Sequence, residues 1–204
     1  MKQFYIILAL MVAAPFGGLA ATPEAVPIET LNAALVATMK AGSAKIGFKS
    51  RYDTLAPVVR ATLNLPLILR NSVGFRWPSL SSDQQQELAA AFERYTVSSY
   101  VDGFSHYTGQ RIEVLAAEKA LGAMRIVESE IIPSDGSAPV RLDYVMAEGD
   151  TGWQVTDVLL DGTISKVAVQ TSDFSALVKR GDASALIAAL RAKVASLSGG
   201  VLKD

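Results

Sequence analysis

The spacing of apolar residues changes twice along the chain, and each change predicts a change of secondary structure. Apolar residues recur every three or four positions before Gly109, alternate with polar residues from there to Leu160, and then return to helical spacing. Helices followed by a sheet and further helices are typical of an α+β fold. The predicted strands are Arg111–Leu115, Met124–Ile132, Val140–Ala147 and Trp153–Leu160.

The loops between these strands are short and rich in turn-forming residues. Residues 133–136 read Pro-Ser-Asp-Gly, and residues 148–152 contain two glycines and an aspartate. Short loops of this kind join antiparallel neighbours. The strands are therefore expected to form a curved antiparallel meander of about four strands.

Two helices are predicted near the N-terminus from runs of apolar residues at helical spacing. The first run is Ile28, Leu31, Leu35 and Met39. The second run is Phe48, Tyr52, Leu55 and Val59. Gly42 lies between the two runs and is expected to end the first helix.

Two more helices are predicted before the sheet from their breaking and capping residues. Pro66 suits the first position of a short helix that extends through Val73 and ends at Gly74. Residues 81–84 read Ser-Ser-Asp-Gln, which is a capping-box pattern. The long helix that begins there is expected to run to about Tyr107 and to end at Gly109.

Two helices are predicted after the sheet. The first is expected to be capped by Ser172 or Asp173 and to end at Gly181. The second is expected to be capped by Asp182 and to run from residue 183 to about residue 197.

The N-terminal residues have the pattern of a secretory signal peptide. Lys2 supplies a positive start, residues 4–14 are apolar, and residues 18–20 form a small-x-small cleavage site that ends at Ala20. The apolar run is too short for a stop-transfer helix, although an N-terminal membrane anchor is the alternative interpretation. Because no cysteine lies at the cleavage site, a lipid-anchored lipoprotein is excluded. Export to the periplasm and cleavage near Ala20 are expected.

The rest of the chain is expected to form one domain. Residues 21–29 contain two prolines and are predicted to be a flexible leader. Residues 30–198 are the predicted domain, which is long enough for a sizeable core, and residues 199–204 are the predicted tail. No internal repeat or low-complexity tract divides this region.

Charge and cysteine content narrow the class of partners. The formal net charge is −1, and removal of Lys2 with the signal segment leaves about −2. A nearly neutral surface does not favour nucleic acid or strong adhesion to anionic membranes. The chain has no cysteine, so packing alone must stabilise it in an oxidising compartment. We expect a monomer.

Candidate catalytic residues are few and lack partners. His106 is the only histidine, no G-x-S-x-G motif is present, and no cluster has metal-ligand spacing. Asp157 lies between apolar residues of the last strand, where a structural, hydrogen-bonded acid is the preferred interpretation and a general base the alternative. Asp161 before Gly162 is typical of a turn. The sequence predicts neither an enzyme nor a cofactor.

The apolar faces of the long helix and of the strands indicate a function more strongly than the catalytic candidates do. The long helix has apolar residues over a wide arc, so it must be covered on more than one side. In the third strand, Leu142, Tyr144 and Met146 share one face, whereas Arg141 and Asp143 share the other. Most such positions are ordinary core. Together, however, a wide-arc helix and a curved sheet predict an apolar cavity between them.

Four segments resemble the MlaC-like, or toluene-tolerance, family of periplasmic lipid-binding proteins. These segments are 72–100, 107–115, 139–146 and 152–174, and the resemblance extends over most of the mature chain. The last segment contains the pattern W-x-x-x-D-V-x-x-x-G followed by a polar helix start. Its version DVLLDGTIS (157–165) resembles the branch associated with hopanoid biosynthesis.

The resemblance implies an α+β lipid carrier with an NTF2-like curved sheet and an apolar pocket between sheet and helices. It implies transfer of phospholipid, or of a hopanoid-type lipid, between an outer-membrane lipoprotein complex and an inner-membrane ABC transporter with an MCE-domain protein. The pocket residues that it implies are Leu67, Val73, Phe75, Phe92, Tyr100, Phe104, Leu142, Tyr144, Met146, Val158, Leu160 and Ile164. One alternative is an NTF2-like enzyme acting on an isoprenoid-type substrate through Asp157 and a tyrosine, and another is a structural adaptor in a hopanoid assembly.

Overall fold

The computed structural model describes residues 21–202, apart from the side chains of residues 116–118. The predicted signal peptide, residues 1–20, lies outside the described residues. The described part contains six α-helices, which in chain order are α1 (Ala25–Ser43), α2 (Phe48–Thr62), α3 (Leu65–Val73), α4 (Ser82–Gly103), α5 (Lys166–Ser175) and α6 (Ser184–Leu197). A 3₁₀ helix over Gly74–Ser79 follows α3. Within the described part, no helix is both long enough and apolar enough to cross a bilayer.

The strands form one antiparallel sheet in chain order. They are β1 (Arg111–Leu121), β2 (Met124–Ile132), β3 (Val140–Gly149), β4 (Gly152–Leu160) and the short β5 (Ile164–Ser165). The sheet is curved and does not close, and its register shifts between Val145 and Met146. The predicted α+β fold and meander are confirmed.

One apolar core joins the helices to one face of the sheet. In β3 this face carries Tyr144 and Met146, which are almost fully buried. On the helical side, Phe92 of α4 belongs to the same core. Its ring packs edge-on against that of Phe174 of α5, with the ring centroids 6.3 Å apart. The alternation predicted for β3 therefore places the expected face against the helices.

Both ends of the predicted domain need correction. The predicted leader, residues 21–29, is wrong from Ala25 onward, because α1 begins there and Ala25 and Ile28 are buried in the core. The predicted tail, residues 199–204, is wrong for Leu202, which is buried and donates its backbone N–H to Ser198 Oγ at 3.2 Å.

The predicted bounds of three helices also need correction. Gly42 does not end α1 but lies inside it. Helix α4 ends at Gly103, well before Tyr107. Helix α5 begins at Lys166, because the Ser165 side chain accepts a hydrogen bond from the N–H of Ala168 at 3.0 Å and so caps it earlier than predicted.

Candidate apolar binding site

The wider of two apolar cavities lies between α4 and the sheet. It has a volume of about 240 Å³. Tyr100 and Phe104 form the helical wall, and their rings stack with centroids 6.1 Å apart. The remaining wall residues come mostly from β2, β3 and β4 and from the start of α5: Ser99, Ile131, Leu142, Tyr144, Val158, Leu160 and Lys166.

The β3–β4 register explains why the sheet presents an apolar wall. Leu142 pairs with Leu160, and Tyr144 pairs with Val158. Directly opposed residues in antiparallel strands point to the same face. Four neighbouring apolar side chains therefore face α4 together.

A narrower cavity adjoins the first on the side of α3. Its volume is about 20 Å³, close to the space of one water molecule. Tyr100, Val158 and Lys166 line both cavities. The other residues that line the narrow cavity are Leu63, Leu65, Ile68, Phe92, Thr96, Asp157, Val167 and Gln170.

Among the described residues, Lys166 is the only charged side chain that lines the wider cavity. Its Nζ lies 5.3 Å from the centroid of the Tyr100 ring, within the range of a cation–π contact. Burial lowers the pKa of Lys166 below its ordinary value, and the nearby charge of Asp157 opposes that change. Burial also raises the pKa of Tyr100, to about 12.

Asp157 connects the last long strand to α5. Its Oδ1 accepts hydrogen bonds from the backbone N–H groups of Val158, at 2.8 Å, and Val167, at 3.0 Å. Its Oδ2 accepts a hydrogen bond from the hydroxyl of Ser165. A carboxylate at the first turn of a helix stabilises the helix through its free N–H groups and its dipole. This arrangement agrees with the preferred interpretation of Asp157 as a structural acid.

A comparison with protein-family models decides the family. The model described as "MlaC protein" matches residues 29–192. The chain belongs to the MlaC family. This confirms the resemblance that the sequence carried, while assignment to the hopanoid-associated branch stays a prediction.

A solved structure shows the same fold as this MlaC-family chain. It is a phospholipid-binding protein from Ralstonia solanacearum, in complex with a phospholipid. The TM-score is 0.72 at 19% sequence identity, over 87% of this chain and 99% of the other. No curated protein gives a significant match to the sequence.

The structure brings seven of the twelve predicted pocket residues to the two cavities. They are Phe92, Tyr100, Phe104, Leu142, Tyr144, Val158 and Leu160. That any of them contacts a lipid stays a prediction. The family resemblance implied these residues, and the period-2 pattern of β3 and β4 and the wide apolar arc of α4 agree with their positions.

The other five lie elsewhere. Val73 and Met146 are buried in the core, and Leu67 is half-buried on α3. Ile164 is exposed on the short edge strand. Phe75 is 85% exposed on the 3₁₀ helix, where its ring contacts the guanidinium of Arg76, and it lines neither cavity, so its contact with a lipid stays a prediction.

The predicted pocket included Leu67 and Val73 of α3, whereas Leu65 and Ile68 of that helix line the narrow cavity, and the start of α5 was missed. Leu65 and Ile68 lie three positions apart on α3, a spacing that puts them on one helix face. That spacing could have identified them. Lys166 gave no such signal, because a lysine after a turn is usually solvated.

Proposed function

We propose that this MlaC-family protein is a periplasmic carrier that binds a phospholipid. The cavity between α4 and the sheet carries the proposal, because apolar side chains line both of its walls. The phospholipid-bound Ralstonia solanacearum protein of the same fold supports it. A hopanoid-type lipid is the alternative occupant of the same cavity.

The physical need for such a carrier follows from the cost of exposing acyl chains to water. Each methylene contributes about 0.8 kcal/mol, so roughly thirty methylenes in two chains make an unassisted crossing prohibitive. The present cavity of about 240 Å³ lies below the range of roughly 300–1,000 Å³ for sites that hold drug-sized ligands. Uptake of a diacyl lipid therefore requires α4 and the sheet to move apart around Tyr100 and Phe104.

The carrier is proposed to exchange lipid with membrane complexes on either side of the periplasm. An inner-membrane ABC transporter with an MCE-domain protein and an outer-membrane lipoprotein complex are the proposed partners, on the strength of the family resemblance. The low net charge is suited to this role, because strong attraction to anionic bilayers would slow release.

Native mass spectrometry of the mature protein, purified from the periplasm, tests lipid binding. We expect a mass increment equal to that of a diacyl phospholipid, identified by fragmentation after organic extraction. A triterpenoid increment would instead support the hopanoid cargo. Protein that carries no lipid and takes up none from phospholipid vesicles would contradict the carrier function.

Leu142→Glu is expected to reduce the bound lipid at least about tenfold, because a carboxylate would have to be desolvated in the apolar wall. Leu142 is half-buried, so the fold should tolerate the change. The measurement is phospholipid per protein, with circular dichroism as the test of folding. Val140→Glu is the matched control, because Val140 lies on the same strand but is exposed and lines neither cavity. Equal lipid content in the two variants would contradict the assigned wall.

Asp157→Asn is expected to leave lipid binding and transfer between vesicles nearly unchanged. The Asn oxygen can still accept from the N–H groups of Val158 and Val167, while loss of the charge should cost about 1–2 kcal/mol of stability. Transfer of a fluorescent phospholipid and the urea midpoint are the measurements. An isoprenoid turnover present in the wild type and lost in the variant would support the enzyme alternative.

A further inference from the structure

The charged group at the junction of the two cavities is the ammonium of Lys166. Lys166 is the first residue of α5, and it lines both the wide and the narrow cavity with Tyr100 and Val158. Every other described residue that lines the wide cavity is uncharged. A cation therefore lies where the two apolar spaces meet.

Within the described residues, this ammonium has no carboxylate at ion-pairing distance. The nearest acid of the site, Asp157, already accepts three hydrogen bonds, from Val158, Ser165 and Val167. The face of the Tyr100 ring lies 5.3 Å from its Nζ. Burial also makes the charged form costly, as the lowered pKa indicates. A cation held in this way is expected to gain an anionic partner when the site is filled.

Two backbone N–H groups in the first turn of α5 already have acceptors. The N–H of Val167 donates to Asp157, and the N–H of Ala168 donates to Ser165 Oγ. Because both groups are occupied, an incoming anion would meet the Lys166 ammonium rather than a free helix terminus. A compact ammonium with three donors suits a phosphate oxygen.

We propose that Lys166 binds the phosphate group of a diacyl lipid at the junction of the two cavities, and that it makes the site select phospholipids over neutral lipids. The proposal rests on the proposed function and specifies its cargo. The two acyl chains of a phospholipid diverge close to its phosphate. A cation at the junction of two apolar spaces matches that shape once the narrow space, about 20 Å³ in this structure, widens on uptake, whereas a neutral triterpenoid would leave Lys166 without an anion.

Competitive uptake from vesicles tests this selection. Mature protein is incubated with vesicles that contain equal amounts of phosphatidylglycerol and of diacylglycerol with the same acyl chains. The protein is then re-isolated, and its bound lipids are quantified by mass spectrometry. Wild-type protein is expected to favour phosphatidylglycerol at least about tenfold, and Lys166→Met is expected to remove that preference. Lys166→Arg should retain part of it, because the charge is kept.

Lys193→Met is the matched control, since it removes an exposed lysine of α6 and should leave the preference unchanged. Lys166→Met should melt no lower than the wild type, because it replaces a desolvated cation by an apolar side chain. A melting temperature equal to or above that of the wild type, together with lost preference, would separate recognition from misfolding.

The outcomes distinguish the inference from the function on which it rests. If wild-type protein takes up both lipids equally, or if Lys166→Met keeps the preference, the role of Lys166 is overturned and lipid carriage stands. If wild-type protein takes up neither lipid, the proposed function fails, and the inference fails with it. In a third arm, millimolar inorganic phosphate should not reduce phosphatidylglycerol uptake. Competition by phosphate would identify Lys166 as a site for free phosphate and overturn the proposal.

Discussion

Arg141→Met is expected to lower the free energy of unfolding by about 2–3 kcal/mol, because Asp143 loses its cation and Glu128 keeps only its ion pair with Lys119. The Arg141 guanidinium lies between Asp143, with Nε 2.9 Å from Oδ1, and Glu128, which Nη2 contacts directly. Glu128 is only 5% exposed and Asp143 only 3%. Urea denaturation at pH 7, with circular dichroism as the probe, measures the loss.

The loss should also depend on pH in a defined direction. Hydrogen bonding to Lys119, with further attraction from Arg141, lowers the pKa of Glu128 in the folded protein. A carboxyl group with a lowered pKa stabilises the fold above its unfolded pKa, and this contribution is lost as the pH falls through the folded pKa. The difference between Arg141→Met and the wild type should therefore narrow in acid.

Arg111→Met is the matched control. Arg111 also pairs with a carboxylate on its own strand, Glu113 at 3.1 Å, but both side chains are well exposed. An exposed ion pair contributes about 0–1 kcal/mol, so this variant should unfold close to the wild type. Similar small losses in both variants would contradict the buried network described for Arg141.

This network stabilises the sheet from the face opposite the cavity. In β3, Leu142 and Tyr144 line the cavity, whereas Arg141 and Asp143 alternate with them on the other face. The backbone carbonyl of Arg141 also accepts a hydrogen bond from the N–H of Asp161 at 3.1 Å. The turn after β4 is thus attached to the network behind the cavity wall.

The same contacts explain the Asp161–Gly162 turn that the sequence predicted. Gly162 has a φ of +71°, and a Cβ atom there would lie 3.0 Å from Arg141 Nε. Both facts favour glycine. The Asp-Gly dipeptide alone predicted the turn. It could not predict that the turn packs on Arg141, because the two lie about twenty positions apart in the sequence.

Local patterns predicted the elements better than their ends. The period of apolar residues identified α1, α2, α4 and the long strands, since that period follows from which face is buried. The start of α5 was placed too late, because Ser165 was not recognised as its cap and the second cap, Asp157, comes from β4. A cap that arrives from another element leaves no signal in the helix sequence itself.

In the candidate site, too, local patterns predicted some residues, whereas contacts between elements determined the others. Alternation in β3 predicted Leu142 and Tyr144 at the cavity, because a strand fixes side-chain direction with a period of two. Phe75 was named there as an apolar residue implied by the family resemblance, although it is exposed on the 3₁₀ helix that follows α3. Lys166 was missed because only the packing of α5 beside Tyr100 makes its environment apolar.

Gly42→Ala is expected to destabilise the protein by about 2–3 kcal/mol, although alanine normally favours a helix interior by about 1 kcal/mol. Gly42 lies in α1, and a Cβ atom there would be 2.0 Å from the backbone oxygen of Ser105. That contact is with backbone, so the whole segment after α4 would have to move. The neighbouring Ser43 holds this segment in place, because its Oγ accepts the N–H of Tyr107 at 2.8 Å. Urea denaturation measures the loss.

Gly103→Ala separates the effect of close approach from that of helix propensity. Gly103 is also helical, and a Cβ atom added there would meet none of the described atoms within 4 Å beyond its chain neighbours and its own helix backbone. This control should be neutral or should stabilise the protein by up to about 1 kcal/mol. If Gly42→Ala were equally harmless, α1 and the segment at Ser105 would not be in contact.

The contact between α1 and this segment also affects the cavity, because the segment begins at Phe104, whose ring forms part of the cavity wall. Gly42→Ala should therefore weaken lipid retention as well as the fold, whereas Gly103→Ala should leave both intact.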